Sequence, residues 1–406
     1  MMLPLLGGRR KAIGFASRTL IQHGRRSFPV GPILANTKDD HTIVTVVNRR
    51  CLSSQGSSGG QGPQPRKRFY KHVGVTEVSP PWELRLGAAA TAKPGGGTVE
   101  NPISAGVDGT QSASGVIGHL PEENMSPEKQ ASLLKDRLIP RSTTHLDNNN
   151  NTVMEEPPKQ WYGVTLDGRT LRTPVGQILS VPSRLLAWAI AAEWDAQTNQ
   201  IRPVQMPLMT LACTALDQTA AHPEHYQKTA LQFLPTDTTC FWADPTEDRI
   251  LHRRQEAAWR EIHEFIENQF GVQPVKAMGA QEGVLLSRRN REKGIIGLPH
   301  PESLYDACTE WTRQLDAWHL TALNAVASET KSFLVAYAVL HPLSPFSTIT
   351  SGSNDNIFKA ITAARVEEEF QIESWGLVEG QHDYDRLNCS VQVRSAKLLA
   401  KSVLQQ

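Results

Sequence analysis

The sequence lacks an apolar run long enough to cross a bilayer, and it has no excess of charge of either sign. Its longest apolar run, residues 332–340, ends at His341-Pro342, well short of the roughly 20 residues that a membrane-spanning helix needs. Lys and Arg total 42 against 41 Asp and Glu, so the charge does not indicate a nucleic-acid binder. These absences predict a soluble protein that neither inserts into membranes nor binds nucleic acid.

The sequence also lacks the short motifs that mark metal and nucleophile chemistry. It contains no Gly-x-Ser-x-Gly elbow and no His-Glu-x-x-His pair, and its triple glycine at residues 95–97 lacks the flanking pattern of a phosphate-binding loop. Without a C-x-x-C pair, the cysteines indicate neither a zinc site nor a disulfide framework, and favour small buried residues in a reducing compartment. The cysteines expected to be buried are Cys213, Cys240, Cys308 and Cys389, whereas Cys51 is expected to leave with a cleaved N-terminal segment. We predict no catalytic residue, cofactor, metal or small-molecule substrate.

The first segment has a composition of its own. Residues 1–38 contain seven Lys or Arg and no acidic residue, spaced with Leu, Ile, Phe and Ser. This is typical of a mitochondrial presequence, although a basic tail would have a similar composition. Arg49-Arg50 just before Cys51 resembles an arginine-directed processing site. We therefore predict a presequence at residues 1–52 and a matrix location.

Composition divides the rest of the chain. Residues 53–67 are rich in Gly, Ser, Gln and Pro, as flexible linkers are. Strand and helix patterns then predict an N-terminal α+β domain at residues 68–242. Inside it, residues 87–159 contain too little apolar surface to offset the entropy of ordering. We expect a disordered insertion there, with one short helix near residues 126–138, that can be removed without loss of folding.

The N-terminal domain is predicted to contain an antiparallel sheet. Residues 68–75 alternate in the manner of a strand. Within residues 161–171, two further alternating runs flank Asp167-Gly168, a dipeptide that favours a two-residue hairpin turn. Asp167 and Gly168 are therefore predicted to be structural residues.

A helix is predicted to follow the sheet, with Ser183 at its N-cap. Leu186, Ile190 and Trp194 recur at i, i+4 and i+8, so they share the face that packs on the core. This spacing predicts a structural role for Trp194. Glu193 is expected at the exposed end of the same helix.

The patterns after residue 242 are helical, and residues 243–406 are predicted to form an all-α orthogonal bundle. Residues 332–340 are apolar all round, which is typical of a central buried helix. Further helices are predicted at 358–375 and 390–404. Two more follow from apolar stripes at helical spacing: Trp259, Ile262, Ile266 and Phe270, ended by Gly271, and Trp311, Leu315, Trp318 and Ala322.

Residues 365–385 combine many carboxylates with aromatic and aliphatic side chains, which suits either an acid/base site or a docking surface. Helical spacing places Glu373 on the side of Val366 and Phe370, near a helix end where the dipole disfavours negative charge. Such a carboxylate needs a partner, either in this chain or in another protein. The candidates within the chain are Arg365, Lys401 and Arg394.

The end of this segment leaves two further possibilities open. Gly376 is predicted to end the helix in the left-handed conformation. His382-Asp383 could bind a metal together with Glu373, which would suit a matrix metal-dependent hydrolase. Equally, Asp383 or Asp385 could be the N-cap of the last helix.

Several motifs, in the same order along the chain, resemble the Atp12 family of mitochondrial assembly chaperones. They are residues 68–71, 166–169, 173–174, 181–183, 193–197, 206–207, 236–238 and 365–383. The sequence departs from the family in residues 87–159, where the family has a short connection. Such an insertion is tolerable in a surface loop because loop-closure entropy grows slowly with length.

The resemblance implies a chaperone rather than an enzyme. A member of this family is expected to bind the unassembled alpha subunit of the ATP synthase catalytic head and to prevent its aggregation until the beta subunit replaces it. Acidic positions implicated in that role correspond to Glu373 and Asp383. Trp375, Glu379 and His382 lie in the same acidic corner and are predicted to bind the partner with them.

Overall fold

The structure is a computed structural model that describes residues 66–85, 125–141, 158, 160–292, 294, 296–346 and 356–404. The predicted presequence, its processing site, Cys51 and nearly all of the predicted linker lie outside the described residues, as does most of the predicted insertion. The described residues all fall within one compact unit, residues 61–406.

A three-stranded antiparallel sheet has the strand order β1 (Val73–Val78), β2 (Trp161–Leu166) and β3 (Arg169–Thr170). The predicted hairpin joins β2 to β3. Asp167 and Gly168 form its turn with φ values of +47° and +80°. Positive φ at both central positions is the conformation that matches the twist of the two strands.

The Asp167 carboxylate also fixes the residues that precede β1. It accepts the backbone N–H groups of Lys71 at 3.0 Å and His72 at 2.8 Å. These hydrogen bonds, that of His72 first, lower the pKa of Asp167 because they stabilise the ionised form. The strand predicted at residues 68–75 begins later, at Val73.

Among the described residues before position 242 are the helices α1 (Pro127–Leu138), α2 (Arg184–Asp195), α3 (Pro207–Thr214) and α4 (Pro223–Leu231). Ser183 occupies the predicted N-cap position of α2. Trp194 is buried on the core face of α2. Its ring lies edge-on to that of Tyr70, with centroids 5.7 Å apart, and the Tyr70 hydroxyl donates to the Trp194 carbonyl at 2.6 Å.

Glu193 is half-buried and does not lie at the exposed helix end that the sequence predicted. Its carboxylate accepts the N–H groups of Leu208 at 2.8 Å and Met209 at 2.9 Å, so it caps the start of α3. Burial raises the pKa of Glu193 to about 7, and the two hydrogen bonds oppose that rise.

Helix α1 shows that the predicted insertion is not disordered throughout. Leu138 is fully buried, and its carbonyl accepts the indole N–H of Trp318 at 2.9 Å. Arg141 donates its backbone N–H to the buried Asp316 at 2.7 Å. The short helix expected near residues 126–138 is confirmed. Its burial argues against including residues 125–141 in a deletion of residues 87–159, because they contribute to the core; that the insertion can be removed stays a prediction.

The described residues after position 242 form eight helices: α5 (Arg249–Phe270), α6 (Gly279–Arg291), α7 (Glu302–Gln314), α8 (Ala317–Thr330), α9 (Phe333–Leu340), α10 (Asn356–Ala364), α11 (Val366–Trp375) and α12 (His382–Ser402). As predicted, α5 ends at Gly271 and every residue of α9 is buried. Gly271 has the left-handed conformation. The all-α prediction is wrong at β5 (Ala277–Met278), which pairs in parallel with β4 (Phe241–Trp242).

Two predicted helices are divided in the structure. The stripe from Trp311 to Ala322 breaks because the Asp316 carboxylate accepts the N–H groups of Trp318 and His319 and starts α8. The helix predicted at 358–375 breaks at Arg365. A polar cap inside an apolar stripe starts a new helix without changing the spacing of the stripe, so periodicity misses it.

Most of the buried apolar residues, from before and after residue 242, form one core cluster. Cys213, Cys240, Cys308 and Cys389 are buried, free cysteines. No helix in the described part of the chain combines the length and apolar content needed to cross a membrane. The domain boundary at 242/243 and the orthogonal arrangement of the helices stay predictions.

Candidate docking surface

The acidic segment forms helix α11, a connection at residues 376–381 and the start of α12. Val366 and Ile372 are buried and fix the inner side of α11. Gln255 of α5 donates to the Glu367 carboxylate at 2.7 Å. Helix α11 therefore has one side held against α5 and the other exposed.

Two carboxylates of α11 are neutralised by nearby arginines. Arg365 donates to Glu368 at 2.7 Å and to Glu369 at 3.5 Å. Arg386 of α12 donates to Glu369 through two nitrogens, Nε at 2.8 Å and the nearby Nη2. Arg386 is the main cause of the lowered pKa of Glu369. These pairs link α11 to α12.

Glu373 also has a partner within the chain. Arg254 of α5 donates to its Oε2 at 2.7 Å, and the guanidinium lies 5.4 Å from the centroid of the Phe370 ring. The hydrogen bond from Arg254 is the main cause of the lowered pKa of Glu373. The structure thus supplies a partner that was not among the expected candidates. Arg254 lies 119 positions away, so helical spacing could not indicate it.

The end of α11 differs in detail from the prediction. Gly376 ends the helix and donates its N–H to Ile372 at 2.8 Å. Its φ of +93° and ψ of 159° are not the left-handed helical conformation, but they still favour glycine. The chain therefore leaves α11 in an extended direction, and Leu377 is 43% exposed.

The connection is tied to the start of α12 by His382 and Asp383. His382 accepts the Val378 N–H at Nδ1, at 3.1 Å, and Asp383 accepts the Gly380 N–H at 3.5 Å. The N-cap of α12 is Gln381. The N-cap hypothesis for Asp383 or Asp385 is therefore wrong, because both residues lie within the first turn.

Apolar side chains at this corner are unusually exposed. We call this set the apolar ridge: Trp375 (81% exposed), Leu377, Val378 (49%), Tyr384 (69%) and Leu387 (62%). Only Trp375 was predicted to bind a partner. Tyr384 and Leu387 share a face of α12 through their i, i+3 spacing, a signal that the surrounding polar residues concealed in the sequence.

Three exposed carboxylates are next to ridge residues in the sequence and form its acidic border: Glu379 follows Val378, and Asp383 and Asp385 flank Tyr384. None of them forms an ion pair within the described part of the chain. By contrast, Glu369 and Glu373 do. The charges that remain available at this corner are therefore those beside the ridge.

Glu373, His382 and Asp383 were the basis of the metal-hydrolase alternative. Glu373 is paired with Arg254, and His382 Nδ1 is occupied by the Val378 N–H. Across the described residues, no three His, Cys, Asp or Glu side chains come together in a way that could hold a metal ion.

Residues 148–267 match the profile of the family described as ATP12 chaperone protein. The chain is 28% identical over 247 residues to the mitochondrial protein atp12 of Schizosaccharomyces pombe, covering 59% of this chain and 77% of the relative. It is 23% identical over 258 residues to the mitochondrial protein ATP12 of Saccharomyces cerevisiae, covering 58% of this chain and 77% of that protein. The chain is thus similar to Atp12 proteins over 58–59% of its length.

The fold is also that of a known bacterial protein. The Atu1473 protein of Agrobacterium tumefaciens matches with a TM-score of 0.50 and 22% identity, over 68% of this chain and 98% of that chain. The matched Atp12 family is one of chaperones, so the similarity favours a chaperone over an enzyme. Both fungal Atp12 relatives are named as mitochondrial proteins.

Proposed function

We propose that this protein is an assembly chaperone of the mitochondrial matrix. It binds the unassembled alpha subunit of the ATP synthase catalytic head and prevents its aggregation until the beta subunit replaces it. The relationship to the Atp12 chaperones supports this role. The observation that carries it in the structure is the apolar ridge with its acidic border.

The ridge has the physical properties that such a role requires. A subunit waiting for its permanent partner exposes a large, partly apolar interface that is prone to self-association. A chaperone must cover that interface with apolar anchors, and aromatic side chains such as Trp375 and Tyr384 are the residue types that most often serve as anchors. Both project from the body with most of their surface free.

The carboxylates that border the ridge favour a partner surface with basic residues around its apolar centre. Charges at the edge of an interface mainly set the association rate and the choice of partner, and they contribute little to lasting affinity. Glu379, Asp383 and Asp385 can therefore steer an alpha surface that carries Lys or Arg beside apolar residues. Weak charge contacts around a small apolar anchor also permit displacement by the beta subunit. In this proposal His382 supports the border by fixing the turn at Val378.

A pull-down tests the proposal directly. The purified full chain, immobilised and incubated with matrix extract, should recover free alpha subunit and not the assembled synthase. With purified components, the chain should suppress light scattering by alpha alone, and addition of beta should release alpha from the chain. Recovery of the assembled synthase, or unchanged aggregation of alpha, would contradict the proposal.

A further inference from the structure

We infer that Arg254 and Glu373 are a positioning pair: they hold the end of α11, and the apolar ridge that follows it, in place. In this inference Glu373 acts through Arg254 and does not contact the partner, whereas the ridge makes the contact. The part that concerns partner binding rests on the proposed function.

Helix α5 holds the chain before the ridge at three polar contacts. The Trp259 indole N–H donates to the Ala363 carbonyl at 2.7 Å, and Gln255 donates to Glu367 at 2.7 Å. Arg254 donates to Glu373 at 2.7 Å. The contacts follow one another along the chain, and the last of them lies two residues before Trp375. The Arg254–Glu373 pair is thus the polar contact to α5 nearest to the ridge.

Arg254 is placed to fix the direction of α11 as well as its distance from α5. Its guanidinium contacts both the Phe370 ring and the Glu373 carboxylate, which are one turn apart on the same helix. Two contacts from one planar group resist rotation of the helix better than a single point contact. Arg254 also offsets the repulsion between Glu373 and the negative end of the helix dipole.

The carboxylates at the corner differ in their partners, which favours an internal role for Glu373 and a partner-binding role for the others. Glu373 already has a cation within the chain, so a basic residue of a partner would have to compete with Arg254. Glu379, Asp383 and Asp385 are exposed without an ion pair in the described residues, so they are free to meet a basic rim. Glu373 is therefore best suited to the internal contact.

The exposure of the pair determines the size of the expected effects. The Arg254 side chain is 40% exposed and that of Glu373 is 61% exposed. Exposed ion pairs contribute little, so neutral Glu373→Gln should weaken partner capture by only about two- to fivefold. Glu373→Lys and Arg254→Glu place like charges together, and each should weaken capture by roughly tenfold or more.

The decisive variant exchanges the two charges. Arg254→Glu combined with Glu373→Arg restores an ion pair of opposite polarity, and capture of purified alpha subunit should return to within about threefold of the parent chain. Conservative Arg254→Lys should keep most of the binding. If Glu373 instead contacted the partner, Arg254→Glu would leave affinity unchanged and the exchange would bind no better than Glu373→Lys. Either of those results would overturn the inference.

Amide hydrogen exchange tests the pair without any partner. In the free full chain, residues 366–381 should exchange faster in Glu373→Lys and in Arg254→Glu, and at the parent rate in the charge exchange. Trp375→Ala is the matched control, because it should lose capture while exchange in 366–375 stays unchanged. If the parent chain captures no alpha subunit, the proposed function fails and exchange still tests the pair. Unchanged exchange in all variants would refute the pair.

Discussion

Ser332 donates its hydroxyl to the carboxylate of the buried Asp237, with 2.7 Å to Oδ1, across 95 positions of sequence. The same carboxylate accepts the N–H groups of Thr239 at 3.0 Å and Leu334 at 2.9 Å. It thus caps the buried helix α9 and anchors it to the segment before β4. This clamp joins the parts of the chain before and after residue 242 inside the core.

We expect Asp237→Ala to destabilise the protein by roughly 3 kcal/mol, because it leaves several buried donors without an acceptor. Urea unfolding at neutral pH measures the change. Asp306→Ala, at an exposed position of α7, is the control and should alter the free energy of unfolding by less than about 0.5 kcal/mol. A similar small effect at Asp237 would show that the clamp is dispensable.

Burial of His300 predicts loss of stability in acid. Its Nδ1 accepts the Val275 N–H and its Nε2 donates to the Leu234 carbonyl, both at 2.9 Å, so the neutral ring is fully satisfied. Burial lowers its pKa to about 4, below the unfolded value near 6.5. The neutral His300 ring therefore contributes its full stabilisation above about pH 6.5. This contribution falls as the pH drops towards 4, and about 2 kcal/mol of it is lost at pH 5.

Urea unfolding between pH 7.5 and 4.5 checks this expectation. His300→Gln removes the titrating group, so its stability should fall less steeply over that range, even though it is less stable at pH 7.5. His263 and His341 also have pKa values lowered to about 4 by burial, so part of the slope should persist. An identical slope in His300→Gln would mean that His300 is not protonated on unfolding.

Substitutions in helix α1 test whether this part of the predicted insertion is needed for stability. Leu138→Ala should destabilise the protein by roughly 2–5 kcal/mol, because Leu138 is fully buried and its removal leaves a cavity. Leu133→Ala in the same helix, at a 36% exposed position, should cost much less. Thermal unfolding compares the two. Equal, small effects would mean that α1 can be removed after all.

For the apolar ridge we predict an effect on the affinity for alpha subunit and not on the stability of the protein. Trp375→Ala should weaken capture of alpha subunit by tenfold or more, since an exposed aromatic anchor loses most of its contact area, and should leave the unfolding temperature unchanged. Trp188→Ala on α2, where the tryptophan is 48% exposed, is the matched control and should bind normally. Equal binding by both variants would place the contact elsewhere.

Local patterns predicted much of the secondary structure for a clear reason. The turn at Asp167-Gly168, the end of α5 at Gly271 and the buried helix α9 depend on a few adjacent residues, so the information is local. The breaks at Asp316 and Arg365 were missed because the apolar period continues across them. The parallel pair of β4 and β5 is too short to give a strand pattern.

By itself, the sequence determined the acidic corner, the resemblance to the Atp12 family and the positions of most helices, because these depend on composition and short spacing. Only the tertiary structure decided which charges at the corner are occupied. Arg254 and Glu373 are brought together by the packing of α5 on α11, a long-range contact that no local period encodes. The same packing leaves Trp375 outside the core, since the inner side of α11 is already filled by Val366 and Ile372.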